Sequence, residues 1–149
     1  MRNELSLPTL AEQEGVDRAR ALVASGQGEM RALLAHLLGA SGFDVVKVRD
    51  GNEALERIGD NLMASPPRRF DLVIVDLRVR QKSGLNLFLR LRHGDWRPPV
   101  ILVLPSDDGG LRAEVAQHGA FALLEWPFGV EQLHAVAAAA RQSARQARR

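Results

Sequence analysis

Cysteine is absent from the 149 residues. That excludes a disulfide framework and any thiolate metal site, and it suits a reducing cytoplasm. Long apolar runs are also missing, because charges interrupt every stretch well short of the ~18 residues that a membrane span needs. The segment Met1 to Pro8 has none of the continuous apolar character of a secretion signal. Four histidines, His36, His93, His118 and His134, fall on helical patterns or their ends. They lack metal-ligand spacing, and none has a visible tie to a serine nucleophile. There is no internal repeat, and the one compositional bias is the alanine-rich stretch from Ala135 to Ala140. What remains is a chain the size of one domain, 46% hydrophobic and 26% charged, as in ordinary globular proteins.

Charge is unevenly distributed. The net charge is +2, and all but Lys47 and Lys82 of the 20 basic residues are arginines, which do not titrate near neutral pH. Arg141, Arg145, Arg148 and Arg149 crowd the last nine residues without an acid among them, so the rest of the chain is mildly acidic.

Five short apolar runs alternate with five helical patterns, the arrangement of a parallel sheet covered by helices on both faces. Strands are expected at Ala21–Ala24, Val45–Val48, Leu72–Val75, Val100–Leu104 and Phe121–Leu124. The first helix is expected from Glu29 to Ala40, with Met30, Leu33, Leu34, Leu37 and Leu38 on one face and Gly42 as its stop. Asp50-Gly51 reads as a turn before a helix through Ala54, Leu55 and Ile58. A third helix carries Leu85, Phe88, Leu89 and Leu91 up to the Pro98-Pro99 break. The fourth lies between Leu111 and His118, and the last runs from Val130 into the arginines. The expected organisation is an arm over residues 1–17, a compact domain over 18–140 and a basic helix end or tail over 141–149.

Buried parallel strands read as continuous apolar runs, so polar chemistry must come from strand ends. Asp76 ends the run Leu72-Val73-Ile74-Val75 and stands beyond the carboxyl end of the central strand, where ligands bind in open sheets of this kind. The stretch from Arg20 to Val136, with Asp71-Leu72-Val73-Ile74-Val75-Asp76-Leu77-Arg78, Ser83-Gly84 and Glu125-Trp126-Pro127-Phe128, resembles the receiver domain of two-component response regulators. The resemblance implies a doubly wound, flavodoxin-like (βα)5 fold and a phosphoacceptor at Asp76.

In that family two acids after the first strand hold magnesium together with the aspartate, while a hydroxyl and a lysine stabilise the phosphoryl oxygens. Carried onto this sequence, the acidic pair falls on Ser25 and Gly26, the hydroxyl on Leu104 and the lysine on Trp126, while an aromatic position on the fifth strand falls on Leu123. Asp76 alone survives of the five. Losing a single oxyanion stabiliser costs ~10²- to 10³-fold in rate. Arg80 stands where the family usually has proline, and its guanidinium or that of Arg78 is expected to pair with Asp76 in place of metal and lysine. The bland reading makes both arginines solvated loop charges. Trp126 is read as an apolar lid over the site, preceding a cis proline as the family has it.

The resemblance also implies a partner surface on the fourth helix, fifth strand and fifth helix, represented by Arg112, Phe121 and His134. The reading is therefore a degenerate receiver, not an enzyme. It needs no cofactor or metal and signals in the cytoplasm by binding a protein partner or a second copy of itself, with neither membrane nor nucleic acid as its target. Two alternatives stand beside it. One is a working phosphoacceptor at Asp76 that holds magnesium with Glu29 or Asp107. The other is a nucleotide or anion sensor at the glycine turn Ser25 to Gly28.

Overall fold

A computed structural model describes residues 18–78 and 82–147 of the chain. The expected arm over residues 1–17 lies outside them, as do Arg80, Arg148 and Arg149. Within the described residues the order is β1 (Ala19–Ala24), α1 (Gly28–Ala40), β2 (Phe43–Val48), α2 (Gly51–Met63), β3 (Leu72–Asp76), α3 (Lys82–His93), β4 (Val100–Pro105), α4 (Gly109–Gln117), β5 (Ala122–Trp126) and α5 (Val130–Ala147). All strands are parallel, in the order β2-β1-β3-β4-β5. The chain therefore reverses direction across the sheet between β1 and β3. Their carboxyl ends form the switch point at which such sheets place ligands.

Period-two alternation along the strands sorts the core into two layers. Leu22, Val73, Val75, Leu102 and Leu104 pack with Ala54 and Ile58 of α2, Leu87, Phe88 and Leu91 of α3 and Val115 of α4. Val23, Leu72, Ile74, Ile101 and Val103 pack on the other face with Met30, Leu34 and Leu38 of α1 and Leu133, Ala137 and Ala140 of α5. β3 is buried throughout, which explains its unbroken apolar run before Asp76. Each such fully buried aliphatic side chain stabilises the fold by about 1.5–3 kcal/mol.

Several boundaries differ from the sequence expectation for physical reasons. Asp50-Gly51 is the start of α2, where the Asp50 carboxylate accepts a hydrogen bond from the Glu53 amide (2.8 Å) and Glu53 accepts one from the Arg49 amide (2.8 Å). This is close to a capping box. β5 is displaced towards Trp126, because pairing continues through Leu104 with Glu125 and Pro105 with Trp126, and Phe121 is left before the strand. α5 runs unbroken past residue 140 with Ala144 buried, so Arg141 and Arg145 belong to a packed helix. Positive φ at Gly42 and Gly119 follows the ends of α1 and α4.

At the amino ends of the central strands, the Arg20 amide donates to the Asp71 carboxylate (2.8 Å) and the Asp71 amide donates to the Arg20 carbonyl (2.7 Å). The Arg20 guanidinium lies 4.5 Å from the Phe70 ring centroid. Burial pushes its pKa down from the ordinary arginine value, and the neighbouring positive charge of Arg68 adds to the effect.

Gly51 marks the closest approach of two helices: a Cβ there would stand 2.0 Å from the Ser83 carbonyl oxygen at the start of α3. Gly51→Ala is expected to destabilise the domain by about 2 kcal/mol through overpacking. Gly59→Ala, on the same helix with open space around it, is expected to stabilise by about 0.5–1 kcal/mol. Urea unfolding of the two variants measures both changes, and equal effects would contradict the packing at Gly51.

Candidate functional site

At the switch point β1 hands over to a short turn and β3 ends on Asp76. The register Ala24 with Val75 brings the next residues of each strand side by side. Ser25 and Asp76 are both buried, and the Ser25 hydroxyl donates to Asp76 Oδ2 at 2.8 Å. Arg78 supplies the remaining donors. Its amide and its Nε each reach Asp76 Oδ1 at 3.0 Å, and its Nη2 reaches Oδ2 at 3.1 Å. Both carboxylate oxygens are thus engaged, by a forked guanidinium on one side and a hydroxyl on the other.

The electrostatics of this arrangement follow from its burial. The Asp76 side chain is 1% exposed and that of Arg78 14% exposed. A carboxylate so enclosed carries a desolvation cost of several kcal/mol, which only close opposite charge and hydrogen bonds offset. Arg78 also lies 5.3 Å from the centroid of the Trp126 ring, and Trp126 packs edge-on against Phe128 at 5.4 Å. An indole face over a guanidinium adds cation–π attraction and keeps water away from the pair. The Trp126–Pro127 bond is cis.

Two further residues hold the arrangement from the β1–α1 side. Arg78 Nη2 donates to Gln27 Oε1, and Arg31 Nη1 donates to the Ser25 carbonyl at 2.8 Å. Sequence reasoning passed over both. The available signal was position, since Gln27 sits in the short turn that faces the end of β3 and Arg31 lies one helical turn beyond it. The Ser25 to Gly28 turn also uses some of its own donors: the Gln27 amide bonds to Ser25 Oγ at 3.2 Å.

The other residues singled out by sequence are placed as follows. Gly26 is exposed and offers backbone only. Leu104 is fully buried in the layer that contains Leu77, on the face of the sheet opposite Ile74. Glu29, in the first turn of α1, and Asp107, beyond β4, are both exposed. Leu123 is half-buried against the same layer as Leu104. Of the two arginines considered as partners of Asp76, Arg78 stands in contact, while Arg80 lies outside the described residues. Among the described residues no group of three histidines or acids converges as a metal site.

The three residues taken to represent a partner surface are not gathered into one patch. Arg112 is exposed on α4 and pairs with Glu125 of β5 at 2.6 Å, which puts it near the carboxyl ends of the strands. Phe121 opens into a cleft at the opposite end of the sheet, beside Trp96 and Pro98. His134 lines a groove with Ser41, Phe43 and Arg141, between α5 and the end of α1. Helical periodicity turns His134 towards α1 and leaves Arg112 on the other flank of β5.

Comparison with known proteins fits this architecture. The response regulator receiver domain profile matches residues 21–138. The chain is 32% identical over 127 residues to the response regulator protein PilR of Pseudomonas aeruginosa, covering 84% of this chain and 26% of that protein. It is 29% identical over 114 residues to the response regulator MprA of a Mycobacterium species, covering 76% of this chain and 46% of that protein. The chain thus spans a quarter to a half of the length of these curated relatives. Among solved structures, a receiver domain protein from Clostridium thermocellum superposes with a TM-score of 0.74 at 20% identity, over 86% of this chain and 98% of that one. The receiver domain of a LuxO repressor protein from Vibrio parahaemolyticus superposes at 0.70 and 22% identity, over 87% and 94%. A profile that spans most of the sequence, on a fold these structures share, makes this chain a member of the response regulator receiver domain family, the signalling modules of two-component systems.

Proposed function

We propose that this domain is a degenerate receiver, which signals by binding another protein while Asp76 takes no part in phosphoryl transfer. The observation that carries the reading is the occupation of both Asp76 oxygens by Arg78 and Ser25. Phosphoryl transfer to an aspartate needs a carboxylate oxygen free to attack and cations to neutralise the charge that shifts in the transition state. Here the attacking oxygens are already hydrogen-bonded, and the guanidinium is spent on the carboxylate itself.

The donor set also argues against magnesium. A hard dication requires oxygen ligands in near-octahedral geometry, usually from one or two carboxylates with water and phosphate. Asp76 is the sole carboxylate of the described site, Ser25 and Gly26 bring none, and Arg78 already neutralises the one present. Arg78 in this reading replaces both the metal and the lysine of a working receiver. Trp126, in the lysine position, covers the pair instead of meeting a phosphate.

Receiver domains act through other proteins and not as enzymes, so the output is a surface. The exposed flank of α4 and β5 around Arg112 and Glu125 is the proposed contact, facing a signalling protein or a second copy of the chain in the cytoplasm. Among the described residues no helix is long and apolar enough to cross a membrane.

Two experiments test the reading. Incubation with acetyl phosphate and magnesium, followed by intact mass measurement, is expected to give no phosphoryl adduct, whereas an adduct that disappears in Asp76→Asn would establish the phosphoacceptor alternative. In urea unfolding, Arg78→Ala should lose about 3 kcal/mol of stability by leaving a buried charge unmatched. Asp76→Ala combined with Arg78→Ala should lose clearly less than the two single losses added together. Strict additivity would show that the pair is not coupled.

A further inference from the structure

A cleft of about 680 Å³ lies at the opposite end of the sheet from Asp76. It opens below the amino ends of β3, β4 and β5 and is closed by the last turns of α5. Its volume falls in the range of small-molecule sites, roughly 300–1,000 Å³. Arg69, Arg92 and Arg97 line it together with Trp96 and Phe121, and Asp95 is the one acid of that lining.

None of the three arginines has an ion-pair partner among the described residues. Two of them are nevertheless held in place. Arg92 Nε donates to the His118 carbonyl at 3.1 Å, and Arg97 Nε donates to the Gly94 carbonyl at 3.1 Å. Anchoring through Nε leaves the terminal nitrogens for another acceptor. Gly119 makes room for this: a Cβ there would stand 3.2 Å from Arg92 Nη2. The aromatic side is built as well. Trp96 is half-buried and packs against the core, while Phe121 is 39% exposed, a high value for a phenyl group.

Guanidinium forks match phosphate oxygens bidentately, and indole and phenyl faces stack on planar rings. An inorganic anion would use only the first set, and an uncharged ring only the second. We propose that this basal cleft binds a planar aromatic ring carrying phosphate, a ligand of the nucleotide class. Its phosphates meet Arg69, Arg92 and Arg97, and its ring lies against Trp96 and Phe121. The site is separate from Asp76 and does not depend on whether that residue is ever phosphorylated.

Isothermal titration of the full chain with ATP, without divalent metal, is the test, with sodium tripolyphosphate and adenosine titrated separately. ATP is expected to bind, with each fragment at least about tenfold weaker. The double variant Arg69→Ala/Arg97→Ala changes two exposed side chains and should raise the Kd for ATP by about tenfold or more, as loss of charge-assisted hydrogen bonds does. No binding of ATP, tripolyphosphate binding as tightly as ATP, or undiminished affinity in the double variant would each overturn the proposal.

Discussion

A carboxylate sealed from solvent at the end of a buried strand must be matched by donors from its own chain, and the site of this protein is organised around that requirement. The parallel sheet is covered on both faces, so β3 delivers Asp76 into a place with almost no water. An unmatched carboxylate there would cost several kcal/mol, a large share of the stability of a domain this size. Arg78 answers with three nitrogens two residues further along, and Ser25 answers across the sheet. The tryptophan that ends β5 then covers the pair, which strengthens it by lowering the local dielectric.

The same device closes the other end of the central strands. Asp71 just before β3 accepts from the Arg20 amide of β1, as Asp76 at the end of β3 accepts from Ser25 just after β1. Two carboxylates contributed by the β3 segment therefore bridge to β1 at both ends of their pairing. Between them the contact is wholly apolar.

Much of this was legible in the sequence, because burial on both faces of a parallel sheet leaves unbroken apolar runs. Leu72 to Val75 and Val100 to Leu104 announced their strands for that reason. The edges were less clear. Glu125 and Trp126 belong to β5, but an edge strand that tolerates charge does not look like a core strand. Asp50-Gly51 looked like a turn because the same residue types make turns and begin helices, and only the proximity of Ser83 shows why glycine stands there. At the site, Asp76 could be read as the residue that ends the apolar run, and the family resemblance assigned Ser25, Gly26, Leu104 and Trp126 to the positions around it. The choice of Arg78 as the partner could not, since it depends on how the chain turns after β3. Nor could the roles of Gln27 and Arg31, or the separation of Phe121 and His134 into different grooves. These are consequences of three-dimensional proximity between segments far apart in sequence.

The central claim is that Arg78 already occupies the place a metal and phosphoryl group would take. A crystal structure of the protein soaked with magnesium and beryllium fluoride tests it most directly. The account predicts that the guanidinium stays on Asp76, with neither metal nor fluoride bound there. Beryllium fluoride attached to that carboxylate, with magnesium beside it and Arg78 displaced, would contradict it.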